Sequence, residues 1–349
     1  MAAARVRSGG RPTLEEVAAR AGVGRGTASR VINGSPRVSD HTREAVEAAV
    51  AELGYVPNRA ARALAGNRTD AIALVVPESE TRFFAEPYFS GIVQGVGAAL
   101  ADTEMQLLLT LVGSDRERQR LAHYLAAHRV DGVLLVSVRA DDPLPDLLAQ
   151  LSIPVVISGR RSDHETLNSV DSDNFQGARS AVGHLVARGR RTVATITGRL
   201  DVYGAQCRLD GYRRAVAAAG IDSDEALVAP SDFSEEGGRR AMELLLDRRP
   251  DLDAVFAASD VMAAGARQVL RERGRRVPED VALVGFDDST IARHMDPPLT
   301  SVRQPIEDMG RAMARLLLSE IVARRTPGSG GVERTQMVLP TDLVPRLSS

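Results

Sequence analysis

Hydrophobic positions along this chain follow two rhythms that change near residue 70. Between Leu14 and Leu53 they recur every three or four residues, which sets them on one face of successive helices. Thr13, followed three residues later by Glu16, is a capping-box pattern. Leu14, Val17, Ala18 and Ala21 then share a face, so a first helix is predicted over about 14–21. Gly22 can end it in the left-handed conformation, and a second helix starts near Arg25. A third is predicted over 40–53, with Ser39 as its cap, Val46, Ala49, Val50 and Leu53 facing inward, and Gly54 closing it. After "YVPN", Asn58 can cap a helix of about two turns before Gly66. So short a helix is marginal in water and needs a partner or DNA to fold.

From Asp70 onward the rhythm changes. Short β-rich runs, "AIALVVP", "MQLLLTL", "VDGVLLVS", "PVVISG", "TVATITG", "LDAVFAAS" and "VALVGFDDS", alternate with helical periods. Strands separated by helical stretches imply parallel sheets joined by right-handed crossovers, here enough for two sheets and two lobes. The stretch "TPGSGG" at 326–331 reads as a surface loop.

Charge sharpens the division. The chain has 349 residues and a net charge of -2; residues 1–68 hold 11 arginines against 6 carboxylates, a balance of +5, which leaves the remainder at -7. A basic head on an acidic body suits attraction to phosphate, although a membrane surface would attract it equally. All the basic residues are arginine, which reads as a GC-rich genome and carries no functional weight. The single cysteine, Cys207, excludes an internal disulfide and a cysteine-based zinc site. His41, His123, His128, His164, His184 and His294 show no metal-ligand spacing, and no phosphate-cradling glycine pattern occurs. The start "MAAARVRSGG" has no apolar core and no later run reaches the length of a membrane span, so the cytoplasm is the expected compartment.

The segment "PTLEEVAARAGVGRGTASRVING" has helix-turn-helix spacing. The start of its second helix would enter the major groove, where an arginine can make two hydrogen bonds to guanine. Arg25, Gly26, Thr27 and Arg30 lie there, the small residues allowing close approach. Two short helices joined by Ala-Gly occur in many folds, so this spacing alone does not decide the matter.

"TLEEVAARAGVGRGTASRVING", "VSDHTREAVEAAVAELGYVPNRAARALAG" and "VGFDDS" together resemble the lactose/galactose repressor family over nearly the whole chain. The resemblance implies that Arg25, Gly26 and Arg30 read bases, that Thr27, Ser29 and Asn33 touch phosphate or neighbouring bases, and that Thr13 meets the DNA backbone. It implies further that Asn58, Arg59, Ala61 and Leu64 belong to a hinge that pairs with its twin in the minor groove, Leu64 wedging into the central base step. A G/C-rich palindromic operator with a central CG step follows. The implied organisation is a flexible N-terminus over 1–11, a helix-turn-helix head over 12–57, a hinge helix and linker over 58–69, and a two-lobed periplasmic-binding-protein-like α/β body over 70–346. Lobe one is expected over 70–159 and 305–322, lobe two over 160–304 and 323–346. With no family-type tetramerising helix after Arg346, a homodimer is expected.

A body of this kind holds its ligand between the lobes, at the carboxyl ends of the strands. Tyr88 and Phe89 in "EPYFSG" and Phe233 in "SDF" are candidate contacts in a chain with only 3% aromatics, although core packing is a ready alternative for each. Family positions add Arg208, Asp260 and Asp287 and, less directly, Asp171. Carboxylates and arginines can each bind two adjacent hydroxyls, which suits sugars. Asp288, next on the strand, should point the other way and serve structure. "FFAEPYFSGIVQGV" and "VPEDVALVGFDDSTIARHMDPPLTSVRQP" resemble actinobacterial repressors that sense cellobiose and related β-glucosides. A small sugar effector and no cofactor are therefore expected. Purine co-repression, through stacking on Tyr88 and Phe89, is the alternative. A glycosidase using two of Asp260, Asp287 and Asp288 is disfavoured, because its carboxylates must flank a bond from opposite sides. An exported sugar-binding protein is disfavoured by the arginine-bearing head.

Overall fold

The structure, a computed structural model, describes residues 12–32, 35, 37–56, 69–221, 224–325 and 334–349. Asn33, Asn58, Arg59, Ala61, Leu64, the N-terminal residues 1–11 and the "TPGSGG" stretch lie outside the described residues. The chain divides into two compact units, Met1–Thr69 and Asp70–Ser349.

In the first unit three helices, α1 (Leu14–Arg20), α2 (Arg25–Ile32) and α3 (Asp40–Leu53), surround one small core. The capping box is formed: Glu16 N donates to Thr13 Oγ1 at 3.3 Å, and Thr13 N donates to Glu16 Oε2 at 2.8 Å. Gly22 (φ 67°) and Gly54 (φ 59°) end the first and third helices in the left-handed region, where a side chain would be strained. Val17, Ala18, Ala28, Val31, Val46 and Ala49 are buried together, and Leu14, Ala21, Val50 and Leu53 pack around them. Ser39 departs from its expected role. Its hydroxyl lies 2.9 Å from that of Thr42 and makes no bond to a helix amide.

The second unit holds two six-stranded sheets. Sheet one runs in the order β11 (Gln336–Leu339), β5 (Asn168–Ser172), β4 (Val155–Ser158), β3 (Gly132–Leu135), β1 (Ala71–Val76), β2 (Gln106–Leu111), all parallel. Sheet two runs β12 (Asp342–Val344), β10 (Thr300–Arg303), β9 (Ala282–Asp287), β8 (Ala254–Ala257), β6 (Val193–Ile196), β7 (Val228–Ala229), parallel except where β12 meets β10. Helices α4 (Glu80–Ala85), α5 (Pro87–Leu100), α6 (Asp115–Ala126) and α7 (Leu144–Gln150) accompany sheet one. Helices α8 (Asn174–Ala187), α9 (Tyr203–Ala218), α10 (Glu235–Arg248), α11 (Asp260–Glu272) and α12 (Thr290–His294) accompany sheet two, and α13 (Ile306–Arg325) returns to sheet one. That return is a backbone-level fit with α5. A Cβ on Gly95 would lie 2.0 Å from Glu307 O, and one on Gly310 2.4 Å from Ile92 O, so only glycines permit this approach.

The expected lobe boundaries need correction. Residues 160–172 stay in lobe one, because β5 pairs with β4 through Val156↔Asn168 and Ser158↔Val170. The C-terminal segment expected in lobe two, 323–346, is divided between the lobes. Gln336–Leu339 pairs with β5 in sheet one, and only Asp342–Val344 joins sheet two, the break falling at Pro340, which has no amide hydrogen for a ladder. The run "NSVDS" is too polar to read as a strand, yet four of its five residues are buried. The chain thus crosses between the lobes three times: from β5 to α8, from β10 to α13, and from β11 to β12. Among the described residues, no helix is long and apolar enough to cross a membrane and no cluster of metal-binding side chains occurs.

Candidate functional site

The head offers a surface. Because α2 turns Ala28 and Val31 into the core, Arg25, Gly26 and Arg30 are left exposed, with Thr27 and Ser29 half-buried beside them. The first turn of α2 carries no acidic residue, so its amide dipoles and Arg25 present positive potential together. Arg25 Nε rests 3.0 Å from Glu15 Oε1, with both side chains largely exposed. Such a pair contributes about 0–1 kcal/mol and exchanges readily for phosphate or guanine. Thr13 is exposed, and its hydroxyl oxygen accepts the capping bond, which leaves its hydrogen to donate.

The body offers a cavity. Between the two lobes, at the carboxyl ends of both sheets, about 840 Å³ of empty space is continuous with solvent. Its inner end is built at the crossovers. Asn174 Nδ2 donates to Asp171 Oδ1 at 3.0 Å, and Arg208 Nε donates to Asn174 Oδ1 at 2.8 Å. Arg208 Nη1 donates to Ala258 O at 2.5 Å, and its guanidinium lies 3.8 Å from the centre of the Phe286 ring. From the second crossover, Gln304 Nε2 donates to Asp287 Oδ1 at 2.6 Å, while Gln304 Oε1 accepts from Ser172 Oγ at 2.6 Å. A continuous polar chain therefore ties both lobes to the cavity floor.

Burial sets the charges of this floor. It pushes the Asp171 carboxyl upward, opposed by the Ser172 amide and by Arg160 and Arg208. Burial also raises Asp287, to about 6, with Arg208 acting against it, and lowers Arg208, which stays a cation. The Tyr88 hydroxyl, 2.5 Å from Ser158 Oγ, is pushed up to about 12 by burial and remains a donor.

Asp287 reaches the cavity by an unusual backbone. It has φ 118° and Asp288 has φ 53°, two consecutive side chains in the left-handed region, at a cost of about 1–3 kcal/mol each. This turn throws Asp287 inward and Asp288 away. Asp288 is held by Arg303 Nε at 2.7 Å and by Arg346. A glycosidase pair is thus absent among these carboxylates, because Asp288 is locked in ion pairs outside the cavity.

Tyr88, Phe89, Asp171, Arg208, Phe233 and Asp287 all line the one cavity, but two candidates change role. Asp260 does not line it, although Ser259 and Val261 on either side do. The Asp260 carboxylate is fully buried behind the wall, accepting from Ser301 Oγ at 2.6 Å and Ser289 N at 2.7 Å. Its bond from Ser289 N, just after the Asp287 turn, makes it a positioning residue, and burial and the neighbouring Asp287 raise its pKa. Phe89 is only 2% exposed and stacks on Phe83 with ring centres 5.5 Å apart. It is core that backs the wall. Sequence reasoning missed Arg82, Glu86, Ser158, Arg160, Asn174 and Gln304. For Asn174 and Gln304 a signal existed, since polar side chains directly after β5 and β10 sit where chains of this topology bind ligands.

Residues 13–58 match the family described as "Bacterial regulatory proteins, lacI family", and residues 182–349 match a "Periplasmic binding protein-like domain". The chain is similar to the HTH-type transcriptional regulator CelR of Thermobifida fusca, at 54% identity over 97% of this chain and 98% of the relative. A solved complex of CelR with cellobiose superposes with a TM-score of 0.77 at 52% identity, over 97% of this chain and all of that one. The lac repressor dimer bound to operator and the anti-inducer ONPF superposes with a TM-score of 0.82 at 30% identity, over 97% of this chain and 99% of that one. The purine repressor PurR of Klebsiella pneumoniae is 35% identical over 90% of this chain and 91% of its own.

Proposed function

The chain belongs to the lacI family of bacterial regulatory proteins, and from that premise we propose that it represses sugar catabolism or uptake genes until a small disaccharide, cellobiose-like, releases it from a palindromic operator. It is a DNA-binding transcriptional regulator and not an enzyme. We read Arg25, Gly26 and Arg30 as base readers, with Thr13, Thr27, Ser29 and Asn33 placing the head on the backbone. We assign Asn58, Arg59, Ala61 and Leu64, which lie outside the described residues, the role of contacting the minor groove. The active form is a homodimer in the cytoplasm, one head for each half-site.

The observation that carries the effector reading is the polar chain from Asp171 and Asn174 through Arg208, and from Ser172 through Gln304 to Asp287. These groups come from both lobes and from two of the three crossovers. A ligand whose hydroxyls bond to them binds one relation of the lobes better than another, and only such differential affinity can shift a conformational equilibrium. The likeness to a regulator solved with cellobiose supports the choice of sugar. A purine stacked on Tyr88 and Phe89 would need both of those faces open. Phe89 is in the core, and the neighbouring Tyr88 ring meets it edge-on at 75°.

The test is binding of the purified protein to a G/C-rich palindromic DNA pool, followed by gel shift, with cellobiose, other disaccharides and purines added separately. Release by cellobiose is the expected result. Tightening by a purine, with no response to any disaccharide, would overturn the effector class.

A further inference from the structure

The outer part of the cavity has chemistry of its own, on the short helix α4. Arg82 is held between two carboxylates, its Nη1 3.0 Å from Glu78 Oε1 and its Nε 2.7 Å from Glu86 Oε1. Glu78 is fixed in turn by Ser137 Oγ at 2.7 Å. Glu86 stands at the joint of α4 and α5, where a side chain could cap the α5 amides; it makes no such bond and turns to Arg82 instead. Across the cleft the Arg82 guanidinium lies 5.6 Å from the ring centre of Phe233. That ring is seated against bare backbone, since a Cβ on Gly198 would lie 1.9 Å from Phe233 Cζ. The Arg82 and Glu86 side chains are 17% and 14% exposed, whereas that of Asp171 is 7% exposed. The cavity therefore has an interlocked inner end and a more open outer end with its own donor, acceptor and apolar face.

We propose that Arg82 and Glu86 read the second ring of the effector, with Phe233 as its platform, and so set the preference for a disaccharide over a monosaccharide. This rests on the sugar-effector reading. Arg82 Nη2 and Glu86 Oε2 enter no hydrogen bond among the described residues, so the pair can donate to one hydroxyl and accept from its neighbour while the ion pair stays intact. The aromatic face meets the C–H side of the same ring. On this proposal a monosaccharide seated on Asp171, Asn174 and Arg208 leaves these groups unused.

Calorimetric titration of the full chain with cellobiose and with glucose separates the possibilities, using Glu86→Gln, which keeps the shape, and Arg82→Gln. Losing a charge-assisted hydrogen bond should weaken cellobiose binding by about tenfold or more in each variant. Glucose should titrate as in the wild type; without sugar Glu86→Gln should melt as the wild type does, whereas Arg82→Gln, which leaves the buried Glu78 without its cation, should melt lower. Equal losses for both sugars, or cellobiose affinity unchanged in the well-folded Glu86→Gln protein, would overturn the proposal and leave the sugar-effector reading standing. A wild-type protein that binds neither sugar would remove that reading and this one together.

Discussion

The Arg25 side chain in the head is 72% exposed and pairs with one carboxylate among the described residues, at 3.0 Å, whereas Arg208 in the cleft is 9% exposed, bonded to Asn174 and Ala258 and packed on Phe286. Water around the first keeps its pairing weak and exchangeable, which suits a side chain that must give up Glu15 for a base. Exclusion of water from the second makes each partner obligatory, because an unpaired buried charge is expensive. The same residue type is thus a replaceable reader in one region and a fixed part of the fold in the other. Reading DNA can be retuned without unfolding the head. Changing the cleft floor touches stability at once.

The largest effect should come from removing the buried cation. Arg208→Ala should destabilise the body by roughly 3–5 kcal/mol, because Asp287 and Asn174 lose their partner in a water-poor site. Urea unfolding of the full chain reads this as a lower midpoint, and a wild-type midpoint would break the contrast drawn above. Asp287→Ala should weaken effector binding by about tenfold or more, the loss of bonds to a charged group, with operator binding retained. Continued release of DNA by effector would show that Asp287 is not a contact. In the head, Arg25→Ala should cost about 1–3 kcal/mol of discrimination at one base position. Its effect on stability should stay within about 0.5 kcal/mol, as for exposed sites generally. A thermal melt beside a binding series on operator variants checks both halves.

A smaller effect concerns pH. Asp287 and Asp260 hold their protons more tightly in the folded state than in the unfolded chain, so protonation stabilises the fold. That contribution is complete below the ordinary carboxylate range and is lost as pH rises through the raised values that the pair takes in the folded state. The melting temperature should therefore fall between these limits through these two groups. Asp260→Asn, which cannot ionise, should flatten the upper part of the profile; an unchanged slope would assign it to other groups.

The head was legible because its rules are local. A capping box spans three residues, a left-handed glycine ends its own helix, and the face that α2 buries is set by spacing within eight residues. The sheets were legible for the same reason in "AIALVVP" and "VDGVLLVS", whose apolar character declares them. β5 was missed because "NSVDS" is polar, and its place is decided by pairing with β4 and β11. In the cleft, Tyr88, Asp171, Arg208, Phe233 and Asp287 were named from the sequence and do line one cavity. Phe89 and Asp260 were named on the same grounds, yet one lies in the core and the other behind the wall.

Residue type and spacing determined that this chain has a basic three-helix head and a two-sheet α/β body, since helix caps, periodicity and strand character depend on neighbours in the chain; the resemblance to a family made that head a helix-turn-helix. Only the tertiary structure decided which polar side chains share the cavity. Arg208 and Asn174 are 34 positions apart, and Ser172 and Gln304 are 132 apart. Their hydrogen bonds exist only because three crossovers bring both lobes to one water-poor place, where a buried polar group without a partner is costly.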